Sequence, residues 1–347
     1  MKIESLVRKN ILKLKPYTSA RGDYLAGILM DANENSIGSV VNDELHLELN
    51  RYPDPFHNQL RNELGAYLNV EKDKLFIGVG SDEIIDLLVR IFCEPKIDNA
   101  VILEPTYGMY KVACDVNDVA AIPVMLDESF QPRLDKIYSS INKNTKLIFI
   151  CSPNNPTGNV INSESILDLA KNFNGIIIVD EAYAEFSSKP SMMNFVEKFS
   201  NIVVLRTFSK AWGLAGARCG YCITSQEIIN LLYKIKLPYN INKLTSQIVI
   251  DALKNFAQKD KFVTEIISEK EFLIKGLKLM PKIKKVFTSD SNFILFECEN
   301  PTNIYHKLTE KGIIIRDRSN QVKNCLRVSV GTRDQNEKFL NELRNVL

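Results

Sequence analysis

Short apolar runs rich in β-branched residues alternate with segments of helical periodicity through the middle of the chain. Amphipathic stretches such as Glu83–Phe92 and Ser163–Phe173 separate several of these runs, a pattern typical of helices that cross over a mostly parallel sheet. We therefore predict an α/β fold whose strands are Leu75–Val79, Ala100–Leu103, Lys146–Ile150, Ile176–Val179, Ile202–Leu205 and Tyr221–Ile223.

The pattern changes towards the C-terminus, where one long stretch of helical periodicity runs from Leu244 to Met280. Shorter elements follow it, which predicts a smaller α+β domain. The sequence has no linker rich in Pro, Gly or Ser between the two parts, so we expect them to pack closely. The predicted strands of this domain are Asn292–Phe296, Gly312–Arg316 and Leu326–Val330, with a helix at Ile304–Lys311.

Composition narrows the classes of function. The 347 residues include 44 basic and 42 acidic ones, and a formal charge of +2 favours neither nucleic acid nor an anionic membrane as partner. No apolar run approaches the roughly 20 residues that span a bilayer, and the first residues lack a signal-peptide core. Seven cysteines, an odd number, are typical of reduced thiols in the cytoplasm. Cys219 and Cys222 have no second pair to complete a metal site, so we expect none.

The segment that follows the strand Ile202–Leu205 is the most informative for chemistry. It ends in Lys210, and a turn of small residues leads from there to Arg218. Open α/β sheets bind ligands at the carboxyl ends of their strands, where a lysine of lowered pKa can form an imine. Ser209 and Arg218 are suited to bind a phosphate of the same ligand. For this segment alone, a solvated loop lysine is the favoured interpretation.

Polar groups also follow two other predicted strands. Asp180 comes directly after Ile176–Val179, and a carboxylate there can keep a pyridine nitrogen protonated, although it could also cap the next helix. Asn154 and Asn155 lie between prolines in a rigid loop after Lys146–Ile150, from which they can present amide donors.

Two further loops complete the set. The glycine-bearing turn at Gly80 and Ser81 leads from a strand into a helix, where backbone N–H groups and the helix dipole favour a phosphate. It lacks the remaining residues of a dinucleotide fingerprint and of a Walker-A loop. Tyr107 follows another strand and can stack on a flat ring, or simply pack at the sheet edge. Together the loops predict a site for a phosphorylated cofactor that reacts with Lys210.

With these motifs, the sequence resembles the fold-type-I aminotransferases, which depend on pyridoxal 5′-phosphate, and most of all the histidinol-phosphate aminotransferase family. The superfamily motifs are Gly80–Glu83, Pro105–Gly108, Ser152–Gly158, Asp180–Tyr183, Thr207–Lys210 and Gly216–Gly220. The motifs typical of the narrower family are Lys15–Arg21, Asp31–Asn35, Arg51–Pro53, Arg316–Asp317 and Leu326–Gly331. Ser36 stands where such proteins usually have proline, and Trp212 where they usually have phenylalanine.

The resemblance implies a large domain at residues 46–250 with a mostly parallel seven-stranded sheet between helices. It also implies a small α+β domain at 251–347 and an N-terminal arm at 1–45 that packs with it. Lys210, Asp180 and Tyr183 would be catalytic: Lys210 binds the cofactor as an imine and moves the substrate proton, and Asp180 pairs with the pyridinium nitrogen. The other implied cofactor contacts are Ser81, Asp82, Glu83, Thr207, Ser209 and Arg218 at the phosphate, and Tyr107, Asn155 and Tyr183 at the ring.

The resemblance further implies how substrates and subunits are arranged. Arg327 binds the anionic end of the substrate with help from Arg316 and Tyr17, and the segment around Asn33 and Glu34 covers the cleft. The remaining implied contact is Tyr52, which reaches the phosphate from the other subunit of a homodimer with shared active sites.

The implied reaction is the reversible ping-pong exchange of histidine biosynthesis, in which L-histidinol phosphate and 2-oxoglutarate give imidazole-acetol phosphate and L-glutamate. An aromatic amino-acid aminotransferase or a threonine-phosphate decarboxylase would share the cofactor residues, and only the substrate arginines and the N-terminal segment argue against them. A transcription regulator built on this fold would need a DNA-binding module, for which there is no room before Pro16. A NAD-dependent dehydrogenase, suggested by the Gly-x-Gly turn, is the remaining alternative.

Overall fold

The computed structural model describes residues 2–17, 19–41 and 44–347, and Asp23 only by its backbone; Thr18 of the N-terminal motif lies outside these residues. No helix in these ranges is long and apolar enough to cross a membrane. The helices are α1 Lys9–Lys13, α2 Ala20–Asp23, α3 Asn58–Leu68, α4 Gly80–Phe92, α5 Met109–Val116, α6 Leu134–Ser140, α7 Ser163–Asn172, α8 Gln226–Ile235, α9 Lys243–Lys254, α10 Phe256–Lys278, α11 Pro301–Glu310 and α12 Arg333–Val346.

The predicted α/β fold is confirmed, with a large sheet of seven strands in the described ranges. Their order is β1-β7-β6-β5-β4-β2-β3. The strands from β6 to β3 run parallel, whereas β7 is antiparallel to both of its neighbours. The strands are β1 Leu75–Gly78, β2 Asn99–Glu104, β3 Ala120–Met125, β4 Thr145–Cys151, β5 Ile176–Asp180, β6 Ile202–Thr207 and β7 Gly220–Ile223.

The centre of the large sheet is buried on both faces. Ile177 and Val179 of β5 pack into the apolar cluster on one face, while Ile176 and Ile178 pack into the cluster on the other. All four are fully buried, because successive strand residues point to opposite faces and helices cover both. Each such side chain contributes roughly 1.5–3 kcal/mol of burial free energy, so the strand ends that carry polar groups are held rigidly.

The small sheet is antiparallel in the order β10-β11-β9-β8, with helices α10, α11 and α12 packed against it. It meets the large sheet's loops at Gly158, whose carbonyl accepts a hydrogen bond from Asp290 N–H at 2.7 Å. Gly158 has a φ of +84°, and a Cβ there would lie 2.8 Å from Ser289 Oγ, so only glycine allows this close approach. The strands are β8 Ile283–Val286, β9 Phe293–Cys298, β10 Arg316–Asp317 and β11 Cys325–Ser329.

Some details differ from the sequence prediction, and three of them have a physical reason in the local structure. The predicted helix over residues 244–280 is two helices, α9 and α10, because the helical conformation is interrupted at Asn255. The predicted strand at residues 312–316 begins only at Arg316, since Gly312, with a φ of +74°, and Ile313 donate their N–H groups back to the end of α11 and terminate it. Strand β3 was not predicted because Pro123 interrupts it, which is tolerated at the edge of the sheet where β3 lies. The predicted boundaries at residues 45/46 and 250/251 stay predictions.

Candidate active site

The loops at the carboxyl ends of β2, β4, β5 and β6, together with the start of α4, surround a cavity of about 150 Å³. Most of the predicted cofactor residues lie around it. The lining also includes Gly80, from the predicted phosphate-binding turn, and Cys151, Ala182 and Ala215, to which no role was assigned. The predicted residues in the lining are Ser81, Asp82, Tyr107, Asn155, Asp180, Tyr183, Thr207, Ser209, Lys210 and Arg218.

Asp180 ends β5 at the floor of this cavity and is buried. Its Oδ2 accepts a hydrogen bond from the Tyr110 hydroxyl at 2.8 Å, and its Oδ1 accepts one from Ala182 N–H at 3.1 Å. Burial raises the pKa of Asp180 to about 6, although these two hydrogen bonds oppose the rise. A cationic N–H group in the cavity would therefore be stabilised by this carboxylate and would stabilise its charged form in turn.

Sequence reasoning assigned no role to Tyr110, the donor to Asp180. Its ring is fully buried and stacks on Phe149 with the ring centroids 4.9 Å apart. Tyr110 lies three residues after Tyr107, and this proximity was the available signal in the sequence. Its partner Asp180 is 70 residues away along the chain.

Lys210 lies in the turn after β6, directly behind the buried anchor Phe208. Its Nζ is 5.5 Å from the centroid of the Tyr183 ring. The pKa of the Lys210 ammonium is lowered, first by desolvation in the cleft and then by the positive charge of Arg327, while Asp180 opposes the change. A lowered pKa increases the share of neutral amine, which is the form that attacks a carbonyl carbon.

The N-terminus of α4 and Arg218 form the polar end of the cavity. Gly80 has a φ of +71°, and a Cβ on it would lie 2.9 Å from Arg218 Nη2. A Cβ on Gly220 would lie 2.5 Å from Ser81 N. Because these glycines have no Cβ, the Arg218 guanidinium and the N-terminus of α4 can lie close together. The N–H groups of the first helical turn, which have no partner within the helix, are suited to bind a phosphate there. Here Arg218 Nη2 lies 3.5 Å from Asp82 Oδ2.

The backbone of Arg218 is in the left-handed region, with a φ of 51°. Such a conformation is disfavoured for a residue with a Cβ and is held here by the surrounding structure. Beside it, the Thr207 hydroxyl donates to Ser209 Oγ at 3.0 Å, so the two hydroxyls lie together in the lining of the cavity.

Glu83, predicted to offer its N–H group to the phosphate, does not line the cavity with its side chain. Its carboxylate turns back and accepts hydrogen bonds from Val79 N–H at 2.6 Å and Asn240 Nδ2 at 2.9 Å. The side chain thus holds the turn before α4.

Asn155 and Tyr183 line the cavity and also contact the small sheet. Asn155 Nδ2 donates to the Tyr183 hydroxyl at 3.4 Å, and Asn155 Oδ1 accepts from Arg327 Nη1. Tyr183 also packs edge-to-face on Phe293, with the ring centroids 5.2 Å apart. This chain of contacts connects the predicted ring-binding groups to the predicted substrate arginine.

Arg327 lies on β11 directly opposite Arg316 on β10. Burial and the charge of Arg318 lower the pKa of Arg327 to about 10. Its guanidinium carbon is 4.9 Å from the centroid of the Phe293 ring. A half-buried, cationic group of this kind is suited to bind a carboxylate or phosphate. Arg318, which contributes to the same electrostatics, was not among the predicted residues.

The predicted N-terminal residues lie outside the lining of this cavity within a single chain. The Glu34 carboxylate accepts hydrogen bonds from Arg21 Nη2 at 3.1 Å, Arg51 Nη1 at 3.0 Å and Tyr52 N–H at 2.7 Å. Burial alone would raise the pKa of Glu34, but these bonds lower it overall. In this structure the Glu34 carboxylate therefore connects parts of the N-terminal segment to one another.

The other N-terminal candidates lie near this arm. Asn33 and Tyr52 lie around a separate pocket with Glu34, and the Tyr52 ring stacks on Tyr239 with the centroids 4.5 Å apart. Tyr17 is exposed. Their predicted substrate and cofactor contacts stay predictions.

The chain is similar in sequence to known aminotransferases. A family model for aminotransferase class I and II matches residues 28–343. The chain is 43% identical over 347 residues to histidinol-phosphate aminotransferase of Bacteroides thetaiotaomicron, a match that covers 99% of this chain and 98% of the relative.

Solved structures show the same fold. Histidinol-phosphate aminotransferase from Clostridium acetobutylicum superposes with a TM-score of 0.79 at 28% identity, over 86% of this chain and 91% of that one. The enzyme of the same name from Sinorhizobium meliloti, solved in complex with pyridoxal-5′-phosphate, superposes with a TM-score of 0.79 at 20% identity, over 91% of this chain and 89% of that one.

Proposed function

The chain belongs to the class I and II aminotransferases, and we propose that it transfers the amino group of L-histidinol phosphate to 2-oxoglutarate. The products are imidazole-acetol phosphate and L-glutamate, and the reaction is a reversible step of histidine biosynthesis. The observation that carries the choice of substrate is the likeness, over 99% of the chain, to a curated histidinol-phosphate aminotransferase.

The cavity fits pyridoxal 5′-phosphate, the cofactor of this family. Asp180 is a buried carboxylate with neutral hydrogen-bond donors, and burial raises its pKa, so a protonated ring nitrogen would be a favourable partner for it. Arg218 and the start of α4 provide donors for a phosphate at the other end. When bound, the cofactor supplies an aromatic ring that withdraws electrons from the substrate carbon.

The residues around the cavity divide the remaining work. Lys210 would hold the cofactor until the substrate's amino group displaces it. The freed Nζ amine would then take the proton from the substrate carbon that bears the amino group, and would return it to that carbon in the reverse direction. Asp180 keeps the ring nitrogen protonated. The Tyr183 hydroxyl and Asn155 Nδ2, which are 3.4 Å apart, bind the ring oxygen.

The anionic end of each substrate binds at the small sheet. Arg327 bonds to the phosphate of histidinol phosphate in one half-reaction and to a carboxylate of 2-oxoglutarate or glutamate in the other, since the planar guanidinium suits both. Arg316 and Tyr17 assist it, and the arm around Asn33 and Glu34 covers the cleft from water.

The test is a comparison of amino donors with the purified holoenzyme. Histidinol phosphate, phenylalanine and threonine phosphate are each offered with 2-oxoglutarate, and glutamate is measured. We expect histidinol phosphate to give the highest kcat/KM; a preference for either of the others would overturn the proposal. Lys210→Ala should abolish the reaction, whereas Lys171→Ala, an exposed lysine on α7, should not.

We also propose that the enzyme is a cytoplasmic homodimer with shared active sites. Tyr52 is 48% exposed in the single chain and lies at a pocket rim, which suits a residue that reaches a neighbouring subunit. All seven cysteines are free, as is typical of a reducing compartment. Analytical ultracentrifugation tests the assembly, and a fully active monomer would contradict both the homodimer and the shared active sites. Tyr52→Phe should weaken cofactor binding in the dimer.

A further inference from the structure

Arg318 follows β10 and extends its pairing with β11 by one residue, because its N–H donates to Cys325 O at 3.0 Å. Side chains two residues apart on a strand lie on the same side, so Arg318 shares a side with Arg316. Arg327 lies directly opposite Arg316 on the neighbouring strand. The three guanidinium groups are therefore gathered on one side of the small sheet.

None of these arginines forms an ion pair within the part of the chain that the structure describes, in contrast to Arg206, which pairs with Glu181 at 2.9 Å. The neighbouring carboxylate of Asp317 is engaged elsewhere, by Ser319 and by Thr302. The Nε atoms of Arg318 and Arg327 are buried without a hydrogen-bond partner in the described residues. A buried donor without an acceptor is unfavourable, so these two guanidinium groups are suited to bind an anionic acceptor.

The position of Arg318 relates it to the active site. The pKa of Arg318 is lowered by burial and by Arg316, and its charge acts on Tyr183 and Arg327. The turn after Arg318 is held against the loop that carries Tyr107, since Gln321 Nε2 donates to Thr106 O at 3.2 Å. Arg318 is thus fixed at the edge of the site.

We propose that Arg318 is a third guanidinium of the substrate-anion site and makes the site prefer a phosphate monoester to a carboxylate. This rests on the proposed function. A phosphate monoester carries close to two negative charges at neutral pH, whereas a carboxylate carries one, so the added cation benefits the phosphate more. Three guanidinium groups also offer more donors than a carboxylate can accept.

The test uses holoenzyme carrying Arg318→Gln or Arg318→Lys, with Lys323→Gln as the matched control, because Lys323 is an exposed cation in the same turn. Inorganic phosphate is titrated as an inhibitor of the half-reaction with glutamate. In parallel, the half-reaction with histidinol phosphate is followed by the cofactor's absorbance. The phosphate arm reports on the anion site even if histidinol phosphate is not a substrate.

In Arg318→Gln, we expect the inhibition constant of phosphate and the saturation constant of histidinol phosphate to rise about 10- to 100-fold. Saturation by glutamate should change by less than about threefold, because Arg327 remains to bind its carboxylate. Arg318→Lys should lie between, since it keeps the charge without the planar fork. Lys323→Gln should behave as wild type.

Thermal unfolding separates binding from a structural role. Without ligand, Arg318→Gln should melt no lower than wild type, because the substitution removes a partly buried charge without a partner. Phosphate should raise the melting temperature of wild type more than that of the variant. Unchanged phosphate inhibition in Arg318→Gln, or an equal loss for glutamate, would overturn the inference. A wild-type enzyme that ignores histidinol phosphate while Arg318→Gln still weakens phosphate inhibition would overturn the proposed function alone.

Discussion

Removal of the Tyr110 hydroxyl tests how the buried Asp180 stays ionised. The hydroxyl donates to Asp180 Oδ2 at 2.8 Å inside the core, and such a bond to a charged acceptor stabilises it by about 1.5–3 kcal/mol. Without it, the pKa of Asp180 should rise from about 6 to about 7 or 8, since each 1.36 kcal/mol corresponds to about one pH unit. At neutral pH much of Asp180 would then be protonated and unable to pair with a pyridinium.

The measurement is the affinity of apoprotein for pyridoxal phosphate across the pH range, followed by absorbance. In Tyr110→Phe, the pH below which affinity falls should move up by about one to two units. Tyr138→Phe is the control, because the Tyr138 hydroxyl also bonds to a carboxylate, that of Asp168, far from the site. Identical pH profiles for wild type and Tyr110→Phe would refute the role of this hydrogen bond.

The raised pKa of Asp180 also determines how the stability of the apoprotein depends on pH. The pKa of Asp180 is raised in the folded state from its ordinary value of 3.8 to about 6, so the native state binds the proton more tightly than the unfolded state. Stability therefore falls as pH rises through this window, by roughly 3 kcal/mol in all. Chemical denaturation of the apoprotein at several pH values should show this fall, and it should be deeper and extend to higher pH in Tyr110→Phe. Added cofactor should remove most of it.

Three other substitutions test separate parts of the structure. Gly80→Ala places a Cβ 2.9 Å from Arg218 Nη2 at a φ of +71°, so cofactor affinity in a fluorescence titration should fall by at least about tenfold; unchanged affinity would show that the turn relaxes. Thr332→Ala removes the capping box of α12 and should lower the free energy of unfolding by about 1 kcal/mol in urea denaturation, with kcat unchanged. Arg206→Met leaves Glu181 buried without its cation, and a loss of about 3–5 kcal/mol is expected; a loss below about 1 kcal/mol would mean that the carboxylate protonates instead.

The parts of the fold that sequence predicted correctly are those whose signal is local. Strand β5 is four apolar residues and an aspartate, and every part of its burial follows from that segment. Strand β3 has Pro123 in its middle and mostly half-exposed or exposed residues, so its pairing with β2 is visible only once the sheet is assembled. Strand β8 is short and carries Lys284 and Lys285, which suits an edge strand but hides it in the sequence.

The residues of the candidate site also divide into those with a local signal in the sequence and those without one. Lys210 and Asn155 each follow a strand, so the topology of a parallel sheet brings their loops to one edge. Tyr110 and Arg318 act through partners far away along the chain, and no local pattern distinguishes them from an ordinary helix aromatic and an ordinary turn arginine. Glu34 illustrates the opposite case, because its motif was informative about the family while its carboxylate is occupied by Arg21 and Arg51.

The charge of Arg327 in the small sheet affects the pKa of Lys210 in the large domain. In the proposed reaction, Lys210 must be neutral to react with a carbonyl, and later it must accept a proton. These two tasks call for different pKa values. Desolvation and the charge of Arg327 lower its pKa in the chain as described. An anionic substrate bound at Arg327 would neutralise that charge and raise the pKa of the lysine at the moment when a base is needed. The substrate's own phosphate or carboxylate thus improves the base that acts on it, which gives the arginines of the small sheet a part in reactivity as well as in binding.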